Sequence, residues 1–576
     1  MEFKINPPAP LPHPPTQHPP TPPTPATPPV PSRPMSTYYL TTPIYYVNDR
    51  PHIGHVYTTL LADVLARFQR LFGRQVFFLT GNDEHAEKVV TTAAERGLST
   101  MQWADQNAAA FQAVFAELDL GYDDFIRTTQ DRHKSAVTRY IRTLQERGDV
   151  YLGDFEGWYD VNAEAYVTET KAKETNFLSE NGKPLVRRKE RNYYFRLSAF
   201  QQWLTESITS GAIAIEPEAR RNEVLGRLRE GLDDVPISRP VTDDPATQFG
   251  IRMPDDPTHR IYVWIDALFN YLSAVDTPER RPFWPPAVHL MGKEILWFHA
   301  VIWPALLKAL GEPLPRLIYA HSHYVREGKK MSKSLGNFID LETIRAYAGR
   351  FGTDALRWYL ATQGPMFATD ADFSHGKFVE VFNADLANGL GNAVSRVGNM
   401  CDKYFGGQVP DAKGVVCLPD LPAFGWPEIV AQSVERAIAR ADVMDLPGAL
   451  AEGVALVRKV DAYINATEPF KLAKKLPAGP DGKPAPSPER DRLAAILYHC
   501  AEALRVAAIL HSPAIPRAAA RIQQAWHCAP PAGVSLGAIS AWGGPHSLKP
   551  GQPLVKGDIL FMRADPAEPA PQPVYQ

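Results

Sequence analysis

Hydrophobic and polar positions between residues 38 and 125 alternate between two periods. Residues 38–47 form an apolar, aromatic-rich run, the pattern of a buried strand. Residues 56–71 then place Leu60, Val64, Leu65, Phe68 and Leu71 on one helical face, with Gly73 as the stop. The run QVFFLT at residues 75–80 predicts a second buried parallel strand. Strand, helix and strand in this order predict an open parallel sheet, whose ligands sit at the carboxyl ends of the strands. Residues 126–240 break the alternation with a charged, glycine-punctuated stretch that reads as an inserted domain. The pattern resumes at residues 260–268 (RIYVWIDAL) and 288–304, and from about Phe378 through His511 it is wholly helical, as in an α-bundle. Residues 1–36 are proline- and threonine-rich with almost no large apolar side chains, so a disordered tail sampling polyproline conformations is expected there, with Met35 as an alternative start.

Composition narrows the classes. A chain of 576 residues with 44% hydrophobic content has room for three or four soluble domains. No apolar run approaches the ~20 residues of a membrane span, so no membrane partner is expected. A net charge of −3 gives no general attraction to a polyanion, and any nucleic acid must be held by a local basic surface. Cys401, Cys417, Cys500 and Cys528 lie in the C-terminal part without a Cys-x-x-Cys pair, the usage of reduced thiols in the cytoplasm.

Two strings carry candidate chemistry. Pro51-His52-Ile53-Gly54-His55 falls between the first strand and the first helix, which puts both histidines at a helix N-terminus. Backbone N–H groups and the helix dipole favour a phosphate there, and Gly54 lets a ligand approach the backbone. Lys329-Lys330-Met331-Ser332-Lys333-Ser334, followed by Leu335-Gly336-Asn337, has the composition of a mobile loop able to fold over a polyphosphate. A lone His-x-x-His is commonplace in surface turns, and so is a lysine-rich pentamer. Together, in this order around strand–helix patterning, they point to an adenylate-forming nucleotide site.

The pair resembles the two signature motifs of the class I aminoacyl-tRNA synthetases. Four further strings, TPIYYVN from Thr42, GNDEH from Gly81, YVWIDA from Tyr262 and GKEILWFH from Gly292, resemble the methionyl-tRNA synthetases within that class, and the likeness runs from Tyr38 to Arg563. The resemblance implies an α/β fold: a Rossmann-type parallel-sheet catalytic domain split by an inserted connective domain and followed by an α-helical anticodon-binding bundle. Its halves would be residues 37–125 and 241–320, with the insert at 126–240, the lysine loop and stem-contact region at 321–377, the bundle at 378–530 and a tail at 531–576.

The same resemblance assigns roles. His52, Gly54, His55, Lys330, Ser332 and Lys333 would bind ATP, with His52, His55, Lys330 and Lys333 stabilising the transferring phosphate. Ile44, Tyr46, Trp264, Leu268, Tyr271 and His299 would line a methionine pocket, Asp83 would hold the α-amino group, and Arg239 would lie near the amino acid. Aromatic walls suit a polarizable thioether that offers no strong hydrogen-bonding group. Leu268 stands where some members carry proline. Asn392, Arg396 and Phe470 match positions that read anticodon bases, the last usually a tryptophan. Expected partners are ATP with Mg²⁺, L-methionine and tRNA(Met), on a monomer.

Many family members carry zinc knuckles in the insert. Residues 126–240 here hold no cysteine and one histidine, His133, so the insert is expected to be zinc-free and packed through Tyr151, Phe155, Trp158, Tyr159, Tyr166 and Phe195. Two other classes remain open from sequence: a nucleotidylyltransferase that uses no tRNA, and an RNA-binding protein with an inactive catalytic half.

Overall fold

The computed structural model describes residues 36–47, 50–161, 165–167, 169–179, 181–326, 328–331, 338–477 and 483–575. Residues 1–35 of the expected N-terminal tail, Ser332 and Lys333 lie outside the described residues, as do the side chains of Phe155, Tyr166 and Lys330.

Six strands build the central sheet: β1 (Thr37–Tyr46), β2 (Gln75–Asp83), β3 (Asp124–Arg127), β4 (Ala214–Glu216), β5 (Val288–Gly292) and β6 (Leu317–His321). Their order is β3-β2-β1-β5-β6-β4 and every neighbouring pair is parallel. The chain steps outward from β1 through β2 to β3 in one direction and from β5 to β6 in the other, where the earlier β4 forms the edge, and this reversal opens a crevice at the carboxyl ends of β1 and β5. Strand β4 comes from inside the stretch read as the insert. Three residues, Ala-Ile-Glu, are too short a stretch to announce an edge strand by period, even with Ala212 and Ile213 ahead of them.

Helix α1 (Ile53–Leu71) follows β1 and packs its apolar face against the sheet. Pro43, in the middle of β1, has no N–H to donate to a ladder, and the β1–β2 register slips between Thr41 and Ile44. The slip inverts side-chain parity. Tyr38 and Leu40 pack on the same side as Tyr45, whereas Tyr39 packs with Ile44 on the other. Ile44 and Tyr46 are thereby turned toward the face that carries the candidate pocket.

In the insert, strands Val150–Asp160 and Val186–Phe195 form a long antiparallel pair, flanked by Ala165–Val167 and Val235–Pro236. Tyr159 and Phe195 are buried, Tyr151 stacks on Tyr194 with ring centroids 5.8 Å apart, and Trp158 lies 4.6 Å from Phe177. His133 takes no part in this sheet; it is fully buried on the helix Asp131–Glu146.

C-terminal to the sheet, helices Asn392–Phe405, Trp426–Asp442, Leu446–Thr467 and Pro488–His511 pack as a bundle. The last of these is long and apolar enough to cross a membrane, a run that the sequence reading passed over, yet 94% of its apolar window is buried inside the protein. It is the core helix of the bundle. Beyond it the chain returns along the bundle: Leu554, Phe561 and Ala564 are buried, and Asn383 exchanges two hydrogen bonds of 3.0 Å with the Ala564 backbone.

A buried ion pair joins the two parts. Arg357, on helix Thr353–Gln363, donates to Asp63 of α1 at 2.6 Å and to the carbonyls of Leu118, Asp119, Pro513 and Ala514. Five acceptors around one guanidinium satisfy its fork of donors without solvent.

Candidate active site

A cavity of about 640 Å³ opens where the carboxyl ends of β1, β2, β5 and β6 meet the first turn of α1. Its wall includes Ile44 and Tyr46 from β1, Asp83 from β2, Gly292 and Glu294 after β5, His321 from β6, and His52, Gly54 and His55.

His52 is the N-cap of α1. Its Nδ1 accepts from the Gly54 N–H at 3.1 Å, while the His52 N–H donates to Nδ1 of His55 at 3.3 Å, so two imidazoles make a reciprocal capping box. The rings stack with centroids 3.8 Å apart. An Nδ1 that accepts from the backbone cannot carry the proton, so each neutral ring holds it on Nε2 and presents a donor. Burial holds His52 down at about 4, against the pull of Glu294, and holds His55 well below the usual histidine range with His52 adding to the effect. Both rings are neutral donors at pH 7.

The opposite wall is aromatic. Trp264 stacks on Phe298 with centroids 4.0 Å apart and planes 9° from parallel, and Tyr46 meets Trp264 edge-on at 5.8 Å. The Tyr271 hydroxyl lies 2.7 Å from Nε2 of His299, whose Nδ1 is 3.0 Å from the Ile295 carbonyl. A carbonyl only accepts, so His299 donates from Nδ1 and Nε2 accepts from Tyr271. Burial lowers His299 to about 4, which keeps this wall uncharged. Leu268 completes the apolar lining.

Beside the histidine cap, Glu294 is 2.6 Å from His323 at the cavity mouth. Burial among protein atoms opposes its ionisation, but the His323 contact outweighs this and holds the carboxyl below the usual range. His321 donates from Nδ1 to the Ser322 carbonyl at 2.7 Å and accepts from Thr58 of α1 at 2.7 Å.

The chain matches the family model described as tRNA synthetases class I (M) over residues 38–176 and 169–398. It is 39% identical over 499 residues to a methionine–tRNA ligase of Listeria innocua, covering 84% of this chain and 71% of that protein. The chain belongs to the methionine–tRNA ligase family. A Thermotoga maritima methionine–tRNA ligase is 37% identical over 540 residues, covering 92% of this chain and 80% of its own length. The solved structure of Mycobacterium tuberculosis methionyl-tRNA synthetase in complex with methionyl-adenylate superposes with a TM-score of 0.81 at 34% identity, covering 92% of this chain and 100% of that one. The free form of the same protein gives 0.77 at 32% identity, covering 93% and 99%. The family and the parallel-sheet fold expected from the motifs are therefore the ones found, and the match extends through the helical part that a nucleotidylyltransferase reading leaves without a role.

Measured against a methionine–tRNA ligase, the cavity gathers His52, Gly54, His55, Ile44, Tyr46, Asp83, Trp264, Leu268, Tyr271 and His299. Arg239 does not join them. Its strand, Ser238–Pro240, pairs with Asp256–Ile261, and the guanidinium is buried over the Tyr262 ring at 4.1 Å, bordering a small separate pocket with Glu87 and Arg260. Lys330 is placed by backbone only, in a two-residue strand paired with Tyr324–Arg326. Asn392 is exposed at the first turn of its helix, Arg396 one turn on is 3.2 Å from Asp461, and Phe470 is 38% exposed on the helix Pro469–Lys475. Glu294, His321 and His323 also line the cavity and were not singled out from the sequence. The signal for the first was present: an acidic residue two positions past a strand that ends in glycine.

Proposed function

We propose that the cavity joins L-methionine to ATP and then to the 3′ end of tRNA(Met). A methionine carboxylate oxygen attacks the α-phosphorus, the bond to the bridging oxygen breaks, and pyrophosphate leaves behind methionyl-adenylate. A ribose hydroxyl of the tRNA 3′ adenosine, the 2′-OH by class, then attacks the methionyl carbonyl and AMP departs.

The observation that carries this reading is the paired histidine cap: two neutral rings whose Nδ1 atoms are taken by the cap, and a helix N-terminus, line one cavity with an aromatic pocket. Charge developing on the phosphate is met by preorganised donors, so catalysis is positioning and electrostatics with no protein nucleophile. Asp83 takes the α-ammonium, and Tyr46, Trp264, Tyr271 and Leu268 enclose the thioether. Glu294 accepts from the ATP ribose, as acidic residues past a sheet strand do for nucleotides. Lys330 and Lys333 close over the pyrophosphate. Mg²⁺ would come with the ATP and would neutralise charge on its phosphates.

Asn392, Arg396 and Phe470 read the anticodon, where single-stranded bases offer edges and faces. The insert steers the acceptor end. The same reading makes the protein a cytoplasmic monomer. Methionine-dependent ATP–pyrophosphate exchange, run against the other amino acids and with Lys333→Ala, tests the assignment. Exchange with methionine alone that is lost in the variant supports it. Exchange with another amino acid overturns the pocket reading, and none at all favours an RNA-binding protein with an inactive catalytic half.

A further inference from the structure

Behind the methionine wall lies a buried cluster that the chemistry above does not use. Asp266 is 1% exposed, and its two oxygens are divided between two histidines: Oδ2 is 2.6 Å from Nδ1 of His85, and Oδ1 is 2.7 Å from Nε2 of His133. His85 is 5% exposed and His133 fully buried. An ionised carboxylate only accepts, so both rings donate to it. Burial alone would raise the Asp266 carboxyl, but the two histidines outweigh it and hold it at about 2.

The three members sit on three different elements that meet at the pocket. Asp266 lies on the turn of helix Val263–Leu268 between Trp264 and Ala267, both of which line the cavity. His85 is two residues past Asp83, at the end of β2. The intervening Glu84 is tied separately to β3, through Arg127 at 2.6 Å and through its own N–H to Thr128 at 3.0 Å. His133 comes from the helix Asp131–Glu146, and its Nδ1 is 2.8 Å from Ser273 Oγ, which bonds the carbonyl of the cavity-lining Asn270 at 3.2 Å.

We propose that Asp266 is a positioning residue for methionine: through His85 and His133 it fixes the separation between Asp83 and the wall formed by Trp264, Ala267 and Leu268. This rests on the reading of Asp83 as the anchor for the α-ammonium. The span from that anchor to the thioether wall measures the length of the amino-acid side chain, and Asp266 is the only carboxylate among the described residues that bonds His85 and His133 together. ATP is held from the other side of the cavity, by α1 and Glu294, which the cluster does not touch. Its loss therefore falls on the amino acid and spares the nucleotide.

The test uses Asp266→Asn, His133→Gln and the double variant of the full chain in ATP–pyrophosphate exchange, titrating methionine and ATP separately, with thermal melts alongside. The wild type must first show methionine-dependent exchange; its failure overturns the functional reading itself. With that in hand, Asp266→Asn raises KM for methionine about tenfold or more and leaves KM for ATP within about twofold. His133→Gln gives a smaller rise, and the double variant behaves as Asp266→Asn alone because His133 acts through Asp266. A folded Asp266→Asn with unchanged methionine KM overturns the proposal, as does an equal rise in both KM values or full additivity in the double variant. Should Asp266→Asn not fold, the ratio of the two KM values in His133→Gln decides the matter: a rise confined to methionine supports the proposal, and no change overturns it.

Discussion

Replacing His52 separates two jobs that one imidazole performs. Its Nδ1 caps α1 through the Gly54 N–H at 3.1 Å, and the same bond keeps the proton on Nε2 of a ring that lines the cavity. Alanine removes both functions. Loss of an N-cap costs about 0.5–2 kcal/mol of stability. Loss of a preorganised donor to developing phosphate charge costs about 2.7–4 kcal/mol of barrier, or about 100- to 1,000-fold in kcat. Asparagine is among the best N-cap residues, so His52→Asn keeps the cap while withdrawing the ring donor. The expected pattern is His52→Ala slow and destabilised, His52→Asn equally slow with an unfolding free energy within about 0.5 kcal/mol of wild type. Single-turnover adenylate formation gives the rate and urea denaturation gives the stability. Wild-type speed in His52→Asn would refute the donor argument, and parallel losses of rate and stability in both variants would reduce His52 to a cap.

Gly54→Ala sets activity against stability. An added Cβ would stand 3.0 Å from Cε1 and 3.2 Å from Nδ1 of His52, so the ring must give way by a few tenths of an ångström. Adenylation should fall about tenfold, by the cost of misplaced catalytic geometry, while the urea midpoint holds or rises, because alanine is the better helix former by about 1 kcal/mol. Arg357→Met removes the donor to four carbonyls and leaves Asp63 to Arg67 at 2.9 Å and the Gly121 N–H at 2.9 Å, and should cost about 3–5 kcal/mol in denaturation experiments; a loss under about 1 kcal/mol would show that the five acceptors around the guanidinium rearrange. Stability should also fall with acid before most carboxylates titrate. Burial lowers His299, His321 and His511 from 6.5 to about 4, so each is neutral in the fold. Their contribution is complete above pH 6.5 and is lost as pH falls through about 4, up to about 3 kcal/mol per histidine. A urea midpoint unchanged between pH 7.5 and pH 5 contradicts this.

What the sequence made legible was whatever short-range pattern encodes. The period switch at residues 38–80 located β1, α1 and β2 because run length and helical spacing are local properties. The histidine string was placed at a helix start for the same reason. Strand β4 was not legible, since three residues at a sheet edge have no period, and neither was the parity inversion at Pro43, which exists only against the β2 ladder. Arg239 was placed near the amino acid by motif; the pairing of its strand with Asp256–Ile261 and the stack of its guanidinium over Tyr262, outside the cavity lining, are not written in that motif. The Asp266 cluster joins partners 181 and 133 positions away along the chain. Each of its members reads as an ordinary polar residue until the fold closes.

The histidines follow one rule that the sequence cannot state. Each commits one ring nitrogen to the scaffold, and the identity of that partner decides what the other nitrogen can do. At His52 and His55 the scaffold supplies a backbone N–H, which forces Nδ1 to accept and makes Nε2 a donor. At His299 and His321 it supplies a carbonyl, from Ile295 and Ser322, which forces Nδ1 to donate and makes Nε2 an acceptor already taken by Tyr271 or Thr58. Burial keeps all four neutral, so these roles do not blur at pH 7. One residue type thus yields two unlike surfaces in one cavity. The side at the helix cap offers donors to an anion, and the side toward Trp264 and Tyr271 has its imidazole nitrogens engaged and presents carbon and ring faces, as a thioether requires. Exchanging the partner of a ring therefore changes its chemistry as surely as exchanging the ring.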